Sequence, residues 1–141
     1  MIKPIALTAG AIVAACLAGC AATPEQVAEQ KAQTQREFAQ TIGNRKPVRT
    51  EDCINPSLIE GPQIVGDKYV VYRESGRRYW VSEIDHCPAL APLNSLIVEL
   101  HGSQLCRNDQ FRVLEPGASI PSAYCRFNRF TAYERPDTAG E

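Results

Sequence analysis

Four cysteines could bind a metal, act as nucleophiles or form disulfides: Cys53, Cys87, Cys106 and Cys125. They stand 34, 19 and 19 residues apart, so none has the Cys-x2-Cys spacing of a zinc site. His86 and His101 could activate a thiol, but His86 adjoins Cys87, and neighbours on a strand point to opposite faces. A catalytic cysteine would also leave an odd number for pairing. The even count in a small domain predicts two disulfides, the spacing argues against a metal site, and we expect no cofactor.

The pairing of these cysteines stays open, because four cysteines allow three pairings. We favour Cys87–Cys106 with Cys53–Cys125, a nested arrangement in which each bridge links neighbouring or terminal strands. On the chain-entropy estimate, a bridge closing a loop of about 20 residues stabilises by roughly 3 kcal/mol, and one closing about 70 residues by roughly 4 kcal/mol.

Other groupings of reactive side chains are less specific. The chain has no Gly-x-Ser-x-Gly elbow of a serine hydrolase. Carboxylates that could be paired for acid–base work are Asp52, Glu83, Asp85, Glu99 and Asp109. Of these, Asp109 precedes a strand and is predicted to cap a turn. Aromatic residues that could line a ligand groove, but that more often fill a β core, are Tyr69, Tyr72, Tyr79, Trp80 and Tyr124.

The elements that must position these residues are mostly strands. Runs rich in β-branched and aromatic residues predict strands at 68–74, 77–84, 95–100, 110–114 and 125–133. Ser75-Gly76 between the first two runs predicts a β-hairpin. We therefore predict a mainly β fold, a small antiparallel sheet or barrel-like roll cross-linked by two disulfides.

The segment before the strands is rich in the helix-forming residues Ala, Gln, Glu and Lys. Thr23 followed by Pro24 predicts a helix start, and Gly43-Asn44 predicts its end. The apolar stripe of this helix is thin, so we interpret residues 20–47 as a partly helical tether rather than a coiled-coil segment.

The first 19 residues have the pattern of a secretory signal. Lys3 precedes an apolar run from Ile5 to Leu17, which is shorter than the roughly 20 residues that span a bilayer. Leu17-Ala18-Gly19-Cys20 resembles the lipobox of bacterial lipoproteins. The resemblance implies that Cys20 carries a lipid and becomes the acylated N-terminus. Val13-Ala14-Ala15-Cys16 is a weaker match to the same pattern.

The lipobox resemblance also implies a location. In lipoproteins an aspartate after the lipidated cysteine commonly retains the protein in the inner membrane. Ala21 therefore predicts the periplasmic face of the outer membrane.

The net charge of the mature chain argues against a nucleic-acid partner. Lys3 is the only charged residue of 1–19, so the mature chain carries 14 basic and 16 acidic residues. The resulting net charge of −2 excludes a basic footprint for nucleic acid. We predict a signal peptide (1–19), a lipidated tether (20–47), a β domain (48–134) and a disordered tail (135–141).

The order of motifs in the β domain resembles a family of small proteobacterial lipoproteins that contain a domain of unknown function. The matching elements are Cys53-Ile54, an aromatic hairpin, Cys87-Pro88-x-Leu90, Cys106-x-x-Asp109 and a final strand at Cys125. The family implies location and disulfides and carries over no activity. The expected function is envelope binding or structural support, with an envelope protein or peptide as the partner besides the membrane. The alternatives are a small-ligand or peptide binding module and an envelope hydrolase.

Overall fold

The computed structural model describes residues 22–136. The protein is mainly β, as the sequence predicts. Helix α1 covers Pro24–Ile42, a 3-10 turn covers Pro56–Leu58, and the strands are β1 (Lys46–Glu51), β2 (Cys53–Ile54), β3 (Glu60–Val65), β4 (Tyr69–Arg73), β5 (Arg78–Glu83), β6 (Ser95–Val98), β7 (Leu105–Cys106), β8 (Gln110–Leu114), β9 (Cys125–Arg126) and β10 (Phe130–Glu134). They form a five-stranded antiparallel sheet in the order β1-β10-β5-β4-β3, a three-stranded sheet β6-β8-β9 and a two-stranded sheet β2-β7.

Helix α1 begins and ends where the sequence predicts. The Thr23 amide donates to Gln26 Oε1 (2.9 Å) and the Gln26 amide donates to Thr23 Oγ1 (3.3 Å), so the two residues satisfy each other's backbone donors as a capping box. The helix ends before Gly43, which has φ +63° and donates its amide to the Ala39 carbonyl (2.9 Å). The boundary between two compact units of the chain falls inside the helix, between residues 31 and 32.

In the second unit, residues 34–42 of α1 pack on one face of the five-stranded sheet. Thr34 and Ile42 are buried, and the Phe38 ring stacks on Tyr69 with ring centroids 4.1 Å apart. The Thr34 hydroxyl donates to Asp67 Oδ1 (2.9 Å), which lies in the turn before β4. The thin apolar stripe of the helix is therefore sufficient to cover part of the sheet.

The opposite face of the five-stranded sheet carries the main core. Alternation along β4 sends Val70 and Tyr72 to this side, where residues of the two smaller sheets pack against them. At its centre Phe127 is fully buried, with its ring centroid 4.6 Å from that of Phe111 and 5.6 Å from that of Phe130. The sheet thus carries packed residues on both faces, and α1 covers only part of the second face.

A buried arginine ties the end of α1 to the β4–β5 hairpin. The Arg45 guanidinium donates to the carbonyls of Ile42 (3.0 Å), Gly76 (2.7 Å) and Arg77 (3.2 Å). It also lies over the Tyr79 ring, 3.8 Å from the centroid. One buried side chain thereby adds hydrogen bonds to carbonyls at the end of α1 and in the hairpin turn.

Four of the five predicted strands are present, and the fifth is divided in two. The predicted hairpin is β4–β5, with Tyr72 opposite Trp80, and the runs at 95–100 and 110–114 contain β6 and β8. The single strand expected at 125–133 is instead two strands, β9 beside β8 and β10 beside β1 and β5. The sequence prediction missed the edge strands β1 and β3, because they contain Pro47 and Gly61-Pro62, which disfavour a strand but are tolerated at a sheet edge.

The disulfides are Cys53–Cys106 and Cys87–Cys125, so the nested pairing Cys87–Cys106 with Cys53–Cys125 is wrong. Cys53 lies directly opposite Cys106 in the pairing of β2 with β7. Cys87 follows β5 and reaches Cys125 at the start of β9, with their Cα atoms 5.5 Å apart. The nested arrangement expected each bridge to link neighbouring or terminal strands, whereas the strand that carries Cys53 pairs with β7 and the strand that carries Cys125 lies beside β8.

Candidate functional site

The candidate site is an open cleft of about 600 Å³ on the sheet face that also carries residues 34–42 of α1. Tyr69, Val81, Thr131 and Tyr133 form its floor, because residues of neighbouring strands that lie on the same face are in register. Its walls are polar and come from the end of β5 and from the turns before β8 and β10. The wall residues are Glu83, Asp85, Arg107, Asn108, Asn128 and Arg129.

Asn128 holds one wall of the cleft in place. Its Nδ2 donates to the Glu83 carbonyl and to Asp85 Oδ2, both at 2.8 Å. The backbone amide of Asn128 donates to the Ser82 hydroxyl (3.1 Å), and this hydroxyl donates to the backbone carbonyl of Asn128 (3.2 Å). Ser82 is fully buried, so this exchange satisfies its hydroxyl and locks the turn before β10 to the end of β5.

Two arginines of the cleft share one carboxylate. Arg129 Nε donates to Asp52 Oδ1 (2.9 Å), and Arg107 Nη1 lies 3.8 Å from the same oxygen. The Arg107 amide also donates to the Asp52 carbonyl (2.7 Å). Both guanidinium groups are about half exposed, with side-chain exposures of 52% and 55%. A guanidinium has five N–H donors, so both arginines can also bind a ligand while they contact Asp52.

The acidic side of the cleft is balanced by a lysine. Lys68 Nζ lies 2.5 Å from Glu83 Oε1, and this hydrogen bond raises the pKa of the Lys68 amine. On the floor, the Tyr69 hydroxyl accepts a hydrogen bond from Gln35 Nε2 (3.1 Å). Burial raises the pKa of the Tyr133 phenol, which stays protonated at neutral pH as a hydrogen-bond donor. The cleft therefore offers cations, carboxylates and phenols side by side, an arrangement that suits a polar ligand carrying both charges.

Comparison of the chain with protein-family models, with curated proteins and with solved structures gives no match. Among residues 22–136, no helix is long and apolar enough to cross a membrane.

The structure places the other sequence-predicted residues as follows. All four cysteines of the β domain are in disulfides, and His86 and His101 are exposed. No group of three or more His, Cys, Asp or Glu side chains within the described chain could hold a metal ion. Cys20 lies outside the described residues. Asp109 caps its turn as predicted, because its Oδ2 accepts a hydrogen bond from the Cys106 amide (2.7 Å).

The remaining carboxylates and aromatic residues divide between separate places. Glu83 and Asp85 meet in the cleft, whereas Glu99 accepts a hydrogen bond from the Tyr124 hydroxyl on the three-stranded sheet (2.9 Å). Tyr72 and Trp80 are buried in the main core. Tyr69 and Tyr79 lie on the opposite face of the sheet, which also carries α1. Burial raises the pKa of Tyr72, whose hydroxyl has no hydrogen-bond partner within residues 22–136. The aromatic groove considered from the sequence is therefore not formed by these five residues.

Sequence reasoning missed the cleft arginines and asparagines. Arg107-Asn108 and Asn128-Arg129 lie in two turns that are distant in sequence, and each pair resembles an ordinary polar turn. Asn108 has φ +69°, a conformation in which Asn is common, so its position has a local explanation that does not need a ligand. Only the fold brings the two turns to one cleft.

Proposed function

We propose that this protein is an exported lipoprotein, anchored through Cys20 to the periplasmic face of the outer membrane, whose β domain binds a component of the cell envelope. The observation that carries the proposal is the use of all four β-domain cysteines in disulfides. Disulfides persist in oxidising compartments such as the periplasm and are rare in reducing ones. The lipobox-like residues Leu17-Ala18-Gly19-Cys20 supply the route to that compartment.

Lipid chains on Cys20 account for the anchor. A single acyl chain holds a protein to a membrane only marginally, and each further buried methylene adds about 0.8 kcal/mol, so several chains retain it stably. Ala21, where an aspartate would favour the inner membrane, supports the outer membrane as the destination. The resemblance to small proteobacterial lipoproteins of unknown function is part of the same proposal.

The anchor is tested by replacing each leader cysteine in the full chain. We expect Cys20→Ala to abolish lipidation and cleavage, so that the chain leaves the outer-membrane fraction and migrates as the longer precursor. Cys16→Ala is the matched control, since it changes a cysteine of the same leader and is expected to behave like the wild type. Membrane fractionation with immunoblotting gives the readout. Wild-type mobility and outer-membrane recovery of Cys20→Ala would contradict the anchor.

The cleft is the proposed binding site. Its charges nearly cancel, because Arg107 and Arg129 lie beside Asp52 and because Glu83 pairs with Lys68 next to the cleft, and its floor adds two phenols. This composition favours a polar ligand with hydroxyls and both charges over a polyanion. Peptidoglycan presents sugar hydroxyls, carboxylates and amines together at the location proposed for the protein. We therefore propose peptidoglycan as the envelope component that the cleft binds.

Binding is tested by co-sedimentation of the full chain with isolated peptidoglycan sacculi. Because hydrogen bonds to charged groups contribute about 1.5–3 kcal/mol each, we expect Arg107→Ala with Arg129→Ala to weaken binding at least about tenfold. Arg73→Ala is the matched control, since Arg73 is also an exposed, ion-paired arginine but pairs with Glu60 outside the cleft. Melting temperatures confirm that the variants are folded. Equal binding by the double variant, or none by the wild type, would contradict this site.

A further inference from the structure

Strand β6 presents an open backbone edge. Within residues 22–136 it is an outer strand of the three-stranded sheet and pairs with β8 alone, in a register that places Ile97 opposite Arg112. The Glu99 amide continues this pairing by donating to the Gln110 carbonyl (3.0 Å). Backbone groups of an antiparallel strand alternate between its two sides, so those of Leu96 and Val98 face away from β8. The edge is therefore available for a further strand.

The outer strands of the five-stranded sheet have features that block such addition. Strand β1 contains Pro47 with an irregular register between Pro47 and Arg49, and β3 contains Pro62 with an irregular register between Glu60 and Gln63. Proline, bulges and charged side chains are the devices by which proteins protect sheet edges. Strand β6 reads Ser-Leu-Ile-Val and has none of them.

The core is also incomplete at this edge. Leu96 and Val98 pack against the main core but remain only partly buried. Ile97 points to the outer face and is 41% exposed, while the flanking Leu93 and Leu100 are 91% and 47% exposed. A strand laid along β6 would cover apolar side chains on both faces of the sheet.

We infer that the β6 edge pairs with the β6 edge of a second copy of this chain, antiparallel and with Ile97 on the two-fold axis. In this register Leu96 lies opposite Val98 of the second copy, so the inner face joins apolar to apolar residues. Ser95 lies opposite Glu99, and no like charges meet. The segment complements its own antiparallel copy, which is the requirement for a two-fold interface.

The exposed leucines next to β6 add apolar surface at this edge. Leu100 follows β6 and falls opposite Asn94 of the second copy, whereas Leu93 lies in the turn before β6, with φ +73°. The symmetry of the pairing therefore rests on Leu96, Ile97 and Val98. An extended peptide of another protein would use the same backbone edge but would not require this symmetry.

The register is tested by a cross-link at the axis. The full chain, extracted in mild detergent, is treated with an added oxidant after Ile97→Cys substitution. Non-hydrogen-bonded antiparallel partners bring side chains close, so we expect most of this variant to form a disulfide dimer. Ser95→Cys is the matched control on the same face of the same strand and is expected to remain largely monomeric. Equal cross-linking of the two variants, or none by Ile97→Cys, overturns the register.

The interface is tested separately by sedimentation of the extracted chain. We expect the wild type to sediment with twice the protein mass of the monomer and Ile97→Lys to lose the dimer, because an edge lysine opposes strand addition. Ile120→Lys changes an exposed apolar residue in the loop between β8 and β9 and should leave the dimer unchanged. A monomeric wild type, or loss of the dimer in both variants, overturns the proposal. Neither experiment depends on Cys20 or on the cleft.

Discussion

Replacing Cys87 and Cys125 together by alanine is expected to lower the free energy of unfolding by about 4 kcal/mol or more, the largest effect of any pair in the β domain. The bridge closes a loop with a sequence separation of 38 residues. A loop of that size stabilises by about 4 kcal/mol on the chain-entropy estimate. Both cysteines are buried in the main core, so their removal also leaves a cavity. Denaturant unfolding of the full chain measures the loss.

The bridge between Cys53 and Cys106 serves as the comparison. Its sequence separation is 53 residues, so its loop contribution is similar, but both cysteines are only half-buried and leave no core cavity. We therefore expect Cys53→Ala with Cys106→Ala to be the milder of the two changes. A loss of less than about 1 kcal/mol for the Cys87 and Cys125 pair would contradict a structural bridge there.

The same variants also report the pairing directly. If Cys87 is bonded to Cys125, the double variant leaves Cys53 and Cys106 disulfide-bonded and closed to alkylation. With the nested pairing, both would become free thiols. Digestion with trypsin and a glutamate-specific protease separates the four cysteines into different peptides, because Glu99 lies between Cys87 and Cys106. Alkylated Cys53 in this variant would contradict the pairing.

Gly66→Ala is expected to lower the free energy of unfolding by about 3 kcal/mol, since overpacking typically costs 1–3 kcal/mol and a left-handed backbone adds 1–2 kcal/mol for residues with a Cβ. Gly66 has φ +59°, and a Cβ added there would lie 2.5 Å from the Thr34 side chain. The substitution therefore pushes α1 away from the turn that precedes β4. Denaturant unfolding monitored by circular dichroism gives the measurement.

Gly76→Ala is the matched control for this prediction. Gly76 lies in the β4–β5 hairpin turn, and a Cβ there would meet no atom within 4 Å. The change should stay within about 0.5 kcal/mol of the wild type, as is usual for exposed positions. If Gly66→Ala were equally mild, the packing of Thr34 against this turn would be refuted.

Much of this fold could be read from local sequence because local preferences and tertiary packing agree. The runs around Tyr72 and Trp80 combine β-branched and aromatic residues with a Ser-Gly turn, and they form the central hairpin. Thr23, Pro24 and Gly43 delimit α1 for reasons that lie within one or two turns of helix. Such signals need no knowledge of distant neighbours.

The parts that could not be read depend on contacts between distant segments. Cysteine spacing does not record that β2 pairs with β7, so the bridge from Cys53 to Cys106 follows only from the sheets. Strand β1 is stabilised as an edge by β10, against the local preference of Pro47. The cleft joins Arg107 and Arg129 through Asp52, and no short motif contains all three. Long-range pairing therefore determines both the pairing of the cysteines and the candidate site.

The most direct test of the central proposal is the intact mass of the membrane-extracted protein, with thiol alkylation before and after reduction. We expect the mass of the chain from Cys20 onward plus its lipid, with no alkylation before reduction and four alkylated cysteines after it. A chain that retains residues 1–19 without lipid, or whose β-domain thiols react before reduction, would contradict an exported, lipid-anchored and disulfide-bonded protein.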